Sequence, residues 1–88
     1  MEYLLFTYPH CSQCEALKAY LDEKEIECQE FSLPLKQSKM VIREFLDVLK
    51  RDDKGAIIIP TLVVRQGREV LTVLNSKQEL DQWLKSKA

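Results

Sequence analysis

The stretch Tyr8-Pro9-His10-Cys11-Ser12-Gln13-Cys14 places two cysteines two residues apart, between an apolar run at residues 3–6 and a helical pattern at residues 15–24. If a helix begins at Cys11, its first turn has backbone N–H groups without intrahelical partners. Those groups and the helix dipole favour a negative charge, and a thiolate on Cys11 is such a charge. Cys14 lies one turn further on, near enough to form a disulfide with Cys11. The spacing at a strand–helix junction therefore predicts a redox pair, with Cys28 left as a free thiol.

The composition limits the number of domains and the kinds of partner. A length of 88 residues is enough for one small domain, residues 1–88, and not for two. Hydrophobic residues make up 45% of the chain, so a modest core can form without disulfide cross-links. The 13 Lys and Arg nearly balance the 14 Asp and Glu, which argues against a polyanion-binding surface. We therefore expect no nucleic-acid partner.

Cysteine usage and hydropathy indicate the compartment. Three cysteines are an odd number, whereas a secreted disulfide scaffold usually has more of them and an even number. The N-terminus has no basic region followed by a long apolar run, so no signal peptide is expected. The longest apolar run, residues 56–64, is interrupted by Pro60 and Thr61 and is too short to span a bilayer. The sequence therefore predicts a reducing, cytoplasmic location away from the membrane.

The first half of the chain predicts two strands and two helices. Residues 2–8 are too apolar for an edge strand, and Pro9 ends them. Residues 11–24 predict a helix with one apolar face, which holds Cys14, Leu17 and Leu21 and is widened by Ala16 and Tyr20. Residues 26–32 predict a short second strand, on which Cys28 is expected as a half-buried apolar residue. Ser38 is expected to cap a second helix that runs to about residue 50, with the apolar stripe Val41, Ile42, Phe45, Leu46 and Leu49.

The second half predicts a hairpin and a last helix. Residues 57–65 are strand-like around Pro60, Gln66-Gly67 predicts a tight turn, and residues 68–74 predict a fourth strand. Ser76 and Glu79 have the spacing of a capping box, which starts a helix with the inner face Leu80, Trp83 and Leu84. The order β-α-β-α-β-β-α predicts an α/β fold that opens with a parallel strand pair. The expected architecture is a mixed four-stranded sheet flanked by three helices.

On these residues the chain resembles the thioredoxin-fold superfamily, in particular the small glutaredoxin-like proteins. The resemblance covers essentially the whole chain and rests on Cys11-Ser12-Gln13-Cys14 at the start of the first helix and on Ile59-Pro60-Thr61 before the third strand. It implies a thioredoxin-like fold of the glutaredoxin type, with a cis bond before Pro60 and that loop beside the cysteines. A trans proline at the first residue of a strand is the alternative interpretation of Pro60.

The resemblance also implies an activity, which is dithiol–disulfide exchange in electron transport and cell redox homeostasis. Cys11 is the expected nucleophile and Cys14 the second catalytic cysteine. An extended substrate is expected to pair with the backbone of Ile59, and the substrate-binding residues are expected to be Tyr8, Pro9, His10, Ile59 and Pro60. The expected partners are a disulfide-containing protein or a small-thiol substrate, together with glutathione or a thioredoxin-reductase-type reductant. The chain is expected to act as a monomer and to need no metal or organic cofactor.

Two departures from the glutaredoxin pattern concern glutathione. Similar glutaredoxins commonly have a lysine where this chain has Tyr8, and a glycine pair followed by an acidic residue where it has Leu74-Asn75-Ser76. Ser76 at a helix N-cap can still leave N–H groups for a carboxylate. Because both departures remove features that bind glutathione in similar proteins, a protein disulfide is at least as strong an expectation as a glutathione adduct. His10 has two interpretations of equal weight, support for the Cys11 thiolate or a solvent-facing loop position.

Three alternatives to redox exchange remain: a metal carrier, an iron–sulfur cluster protein and a non-catalytic module. Soft-metal carriers hold Cu(I) or Zn(II) with a Cys-x-x-Cys pair at a first helix, but they resemble folds that end in a strand. A structural zinc site normally needs four ligands, and only His10, Cys11, Cys14 and the distant Cys28 are available. An iron–sulfur cluster shared by two chains, and a non-catalytic interaction module, are the remaining alternatives.

Overall fold

The computed structural model describes residues 1–87 and confirms the predicted order of helices and strands. The elements are β1 (Glu2–Thr7), α1 (Ser12–Glu23), β2 (Gln29–Ser32), α2 (Lys36–Ile42) with a 3-10 turn (Arg43–Phe45), β3 (Thr61–Gln66), β4 (Glu69–Leu74) and α3 (Lys77–Lys87). No helix among these residues is long and apolar enough to cross a membrane.

The four strands form one mixed sheet in the order β2-β1-β3-β4. β1 is parallel to β2 and antiparallel to β3, and β3 and β4 form the predicted hairpin. β1 therefore lies inside the sheet, as its apolar sequence predicts, and Leu4, Leu5 and Phe6 are at most 2% exposed. Gly67, in the two-residue turn between β3 and β4, has φ +61°, a conformation that glycine adopts without steric cost.

The two faces of the sheet bury separate apolar clusters, because successive side chains of a strand point to opposite faces. On one face, Leu5 packs with side chains of β3, α1 and α3, including Leu17 and Leu80. On the other face, Leu4 and Phe6 pack with side chains of the α2 region, including Ile42 and Phe45. The sheet is therefore covered by α1 and α3 on one face and by the α2 region on the other. This is the α/β arrangement expected from the sequence.

The predicted boundaries of the second strand and the second helix are wrong. β2 begins at Gln29, so Cys28 precedes it. The second helix begins at Lys36 behind the extended residue Leu35, and it ends at Ile42. Ser38 is thus not its cap but a buried residue within it, 4% exposed. Beyond Ile42 the apolar residues Phe45, Leu46 and Leu49 lie on a 3-10 turn and the irregular chain that follows it. The second helix is therefore shorter than predicted.

Two further differences concern the start of β3 and the apolar face of α1. The sheet ladder of β3 begins at Thr61, and the preceding residues make only an isolated bridge from Ile57 to Arg51. Pro60 has no N–H to donate to a ladder, which favours a strand that starts after it. Ala16 is exposed rather than part of the apolar face of α1, where Cys14, Leu17, Tyr20 and Leu21 are buried.

Candidate functional site

Cys11 occupies the N-cap of α1 and points its sulfur at the start of the helix. Its backbone is extended, with φ −105° and ψ 108°, and its carbonyl accepts the first helical hydrogen bond, from the Glu15 N–H at 3.1 Å. Its Sγ accepts a hydrogen bond from the backbone N–H of Cys14 at 3.1 Å. One of the N–H groups expected at the helix start is thus directed at this sulfur, where it favours the thiolate of the reduced protein.

Cys11 and Cys14 are joined by a disulfide, as the spacing predicts, with their Cα atoms 5.2 Å apart. Cys28 is a free thiol. The two linked sulfurs differ in access, because Cys11 is partly exposed whereas Cys14 is 1% exposed and belongs to the buried face of α1. An incoming disulfide can therefore reach Cys11 from solvent, but it cannot reach Cys14 in the same way.

The strand registers bring the second motif to the same edge of the sheet. Phe6, near the end of β1, pairs with Thr61 at the start of β3, so the loop at Pro60 lies at the edge from which the chain leads to Cys11. Leu74, at the end of β4, pairs with Leu62 at the same edge. The bond between Ile59 and Pro60 is cis, as the resemblance implies, and Pro60 is buried. The redox pair, the proline loop and the segment after β4 thus share one end of the sheet.

Asn75, the residue after β4, holds the proline loop with its side-chain amide. Its Nδ2 donates to the carbonyl of Ile58 at 3.1 Å, to the carbonyl of Pro60 at 3.0 Å and to Thr61 Oγ1 at 2.7 Å. Thr61 Oγ1 donates in turn to the Ile58 carbonyl at 2.9 Å. Asn75 is 8% exposed, and its Oδ1 has no partner among the described residues. The opposite amide orientation would set an oxygen against three acceptors, so these bonds fix the orientation.

The backbone before Pro60 is open to a ligand. The N–H and carbonyl of Ile59 have no hydrogen-bond partner within residues 1–87, and Ile59 is partly exposed. Ile59 also lines a groove, hereafter the apolar groove, whose walls are Tyr8, Leu33, Lys39, Ile42, Ala56, Ile57 and Ile59. Tyr8 is 51% exposed, and its role in substrate binding stays a prediction.

Pro9 and His10 form an exposed turn between β1 and Cys11. His10 has φ +59°, a left-handed conformation that is uncommon for a residue other than glycine. Its imidazole makes no hydrogen bond or ion pair within residues 1–87, so in the disulfide state it occupies a solvent-facing position.

A second groove lies on the other side of the motif, between α1 and the start of α3. It is lined by Gln13, Ala16, Ser76, Lys77 and Gln78. The predicted capping box of α3 is confirmed in one half, because Ser76 Oγ accepts from the Glu79 N–H at 3.1 Å. The Glu79 carboxylate accepts instead from the N–H of Asn75 at 3.4 Å, and it pairs with Lys50 at 2.7 Å. Glu79 thereby helps to hold Asn75 in place.

Cys28 lies far from this edge along the sheet. It immediately precedes β2, and Gln29 pairs with Leu4 near the start of β1, whereas Cys11 follows the end of β1. Its pKa is raised by burial and by the nearby Glu30 and Asp22 carboxylates, so its thiol stays protonated at neutral pH. Within residues 1–87 no group of three or more His, Cys, Asp or Glu side chains could hold a metal ion.

Sequence reasoning named Asn75 only as part of the segment that stands in place of the glycine pair, missing its hold on the proline loop, and it missed Lys39 entirely. An asparagine between a strand and a helix N-cap is a weak signal, because asparagine is common in turns of every kind. Lys39 has no local signal, since its place in the apolar groove depends on how α2 packs across β1.

Comparison with known proteins agrees with this geometry. The glutaredoxin family model matches residues 4–70. A solved structure described as that of a malarial protein has the same fold, with a TM-score of 0.63, 18% sequence identity and coverage of 96% of this chain and 92% of that chain. No curated protein sequence matches. The family match covers most of the chain and includes both cysteines of the pair and the proline loop, so the chain belongs to the glutaredoxin family.

Proposed function

We propose that the chain is a dithiol–disulfide oxidoreductase that reduces disulfides of proteins or small molecules through Cys11 and Cys14. The observation that carries the proposal is the 3.1 Å contact from the Cys14 N–H to the Cys11 sulfur, in a pair whose first member is accessible and whose second is buried. Only a thiolate attacks a disulfide, and this arrangement favours an accessible thiolate at Cys11. Membership of the glutaredoxin family supports the same chemistry.

The reaction has two exchanges. The Cys11 thiolate attacks one sulfur of the substrate disulfide, the other substrate sulfur leaves as a thiolate, and a mixed disulfide forms. Cys14 loses its proton and attacks the Cys11 sulfur, so that the second substrate sulfur leaves and the Cys11–Cys14 bond forms. Two electrons have passed from the dithiol to the substrate, and the two released thiolates take up protons. A second dithiol, or two external thiols, then restores the pair by the reverse exchange.

The proposal places the substrate beside the proline loop. An extended segment can pair with the unpartnered N–H and carbonyl of Ile59, with Tyr8, Pro9, His10 and Pro60 around it. The proposed setting is a monomer in a reducing cytoplasm, without a metal or organic cofactor. Thiol exchange is favoured over metal carriage because no group of three or more His, Cys, Asp or Glu side chains within residues 1–87 could hold a metal ion, and Cys28 lies at the other end of the sheet.

Serine variants separate the two cysteines. Cys11→Ser should abolish exchange with any disulfide, because the accessible thiolate is lost. Cys14→Ser should attack once and remain as a mixed disulfide that only an external thiol releases. Mass mapping of each variant after a single exposure to a peptide disulfide measures this, with Cys28→Ser as the control that should exchange normally. An adduct on Cys14 in Cys11→Ser, with none on Cys11 in the converse variant, would contradict the assignment.

The physiological reductant is a separate question. We propose a protein disulfide as the substrate class, with glutathione or a thioredoxin-reductase-type enzyme as the reductant. Tyr8 and Leu74-Asn75-Ser76 replace the lysine and the glycine pair, so recycling by glutathione should be slow. Steady-state turnover with glutathione and its reductase, compared with thioredoxin reductase, tests this. Faster recycling by glutathione would contradict the expected order.

A further inference from the structure

The apolar groove opens at the same end of the sheet as the proposed exchange site. Tyr8 precedes Cys11 by three residues and Ile59 immediately precedes Pro60, and both side chains line the groove. Leu33 and Ile42, only 6% and 7% exposed, belong to the buried cluster under α2, so they form an apolar floor. A substrate that extends past Ile59 therefore meets apolar side chains before it meets solvent.

The backbone at Ile59 suits an extended peptide. Its N–H and carbonyl have no partner within residues 1–87, and the sheet ladder begins only at Thr61. A peptide that pairs there alternates its side chains between two faces, so a residue near the substrate cysteine is carried towards the groove. The groove would then bind a side chain of the substrate, separately from the sulfur that reacts.

The groove lining has one charged side chain, a cation, and the Asp52 carboxylate next to it is engaged by the Ala56 N–H at 3.0 Å. Lys39 is the charged residue of the groove lining, and Lys36 and Arg43 lie near it because residues three and four apart share a side of a helix. None of these three makes an ion pair within residues 1–87, whereas Lys18, Lys50, Arg65 and Lys85 each pair with a carboxylate. Three unpaired cations beside an apolar surface favour a ligand that has both an apolar side chain and a carboxylate.

We infer that the apolar groove selects protein disulfides in which an apolar residue and an acidic residue lie close to the reacting cysteine. The apolar side chain packs between Tyr8 and Ile57, and the acidic side chain pairs with Lys39. The occupant is an extended segment of the substrate protein. The inference rests on the proposed disulfide exchange, since it assigns the recognition step of that reaction.

Single-turnover exchange with defined peptides tests the inference without a recycling enzyme. Symmetric disulfides of short peptides carry Leu or Ser, combined with Glu or Lys, at the positions flanking the cysteine. The rate of formation of the Cys11–Cys14 bond in the reduced protein is followed by mass spectrometry. Partial burial of a leucine should favour the Leu peptides about tenfold over Ser peptides. An exposed ion pair should favour Glu over Lys by roughly two- to fivefold at low salt.

Three variants locate the selectivity. Lys39→Glu should reverse the preference between Glu and Lys peptides, whereas Lys54→Glu, the same charge change outside the groove, should not. Ala56→Phe should fill the groove and abolish the preference for Leu. The Ala56 bonds to Asp52 are made by the backbone, so the substitution leaves them in place. Thermal unfolding checks that each variant is folded, and Lys39→Gln replaces Lys39→Glu if that variant is not.

The outcomes are distinct. Equal rates with all peptides, or a preference that survives both groove variants, would overturn the inference and leave the exchange chemistry intact. Absence of exchange even with bis(2-hydroxyethyl) disulfide, which is too small to need the groove, would overturn the proposed function and the inference with it. A preference for glutathione disulfide over every peptide would show that the occupant is a small thiol instead.

Discussion

At the scale of single residues, the amide of Asn75 determines how the proline loop is held. Asn75→Asp keeps the shape but removes both donors, which leaves the Pro60 carbonyl without its side-chain partner and the Ile58 carbonyl with Thr61 Oγ1 alone. We expect a loss of about 1–3 kcal/mol in the free energy of unfolding, measured by urea denaturation. If the loop positions the substrate, KM for a peptide disulfide should also rise, while the alkylation rate of Cys11 stays constant. Gln78→Ala, an exposed change nearby, is the control and should alter neither KM nor stability.

Cys28 should react more slowly than Cys11 in the reduced protein at neutral pH. Burial and acidic neighbours raise its pKa, so its thiolate forms only as the pH rises above the ordinary range for cysteine. Limiting iodoacetamide followed by mass mapping should label Cys11 first and Cys28 appreciably only at alkaline pH. Asp22→Asn removes one of the charges that raise the pKa, so it should shift the labelling of Cys28 to lower pH. Labelling of Cys28 before Cys11 at neutral pH would contradict the expected order.

At the scale of elements, α1 and α3 are joined by a hydrogen bond from the Tyr20 hydroxyl to Asp81 Oδ1. This bond raises the pKa of Tyr20 to about 12 and, together with Lys85, lowers the pKa of Asp81. The lowered Asp81 pKa contributes to the free energy of unfolding at pH values above the ordinary Asp pKa. That contribution is lost as the pH falls through the lowered pKa. The contribution of the raised Tyr20 pKa is present below the ordinary Tyr pKa and is lost as the pH rises through about 12.

The stability difference between the wild type and Tyr20→Phe should therefore be constant near neutral pH and shrink at both extremes. Urea unfolding across the pH range measures it, and Lys85→Gln separates the part that comes from the ion pair to Asp81. A difference that does not change in acid would show that Asp81 is not the partner that matters.

At the scale of the whole molecule, the sheet depends on both of its buried faces. Leu5→Ala removes a fully buried side chain from the face covered by α1 and α3, and it should cost about 2–5 kcal/mol. Leu71→Ala, at a position that is 38% exposed on β4, should cost about 0.5 kcal/mol or less. Chemical denaturation gives both values. A domain of this size has roughly 5–15 kcal/mol of stability, so the Leu5 variant should be close to unfolding. Similar costs for the two variants would contradict the placement of β1 at the centre of the sheet.

The sequence by itself determined the order of elements, the central place of β1 and the disulfide partners. These features depend on local patterns: an unbroken apolar run, apolar side chains at helical spacing, and two cysteines one turn apart. The half-confirmed capping box is also local, since Ser76 meets an N–H three residues ahead. The family resemblance added the cis bond at Pro60. Ser38 as a cap and the longer second helix were wrong, because Pro34-Leu35 starts the helix earlier and burial of Phe45 and Leu49 is achieved without regular helix.

Only the tertiary structure decided what surrounds the pair. Strand register brings Pro60 and Asn75, far apart in sequence, to the edge where Cys11 lies. The packing of α2 across β1 sets Lys39 in the same groove as Tyr8 and Ile57, and no local sequence pattern predicts that placement. The same register places Cys28 at the opposite end of β1 from the pair. The residues that carry the chemistry of this site thus lie within one stretch of seven residues. The apolar groove forms only after the sheet has assembled, because the segments that line it meet through long-range pairing.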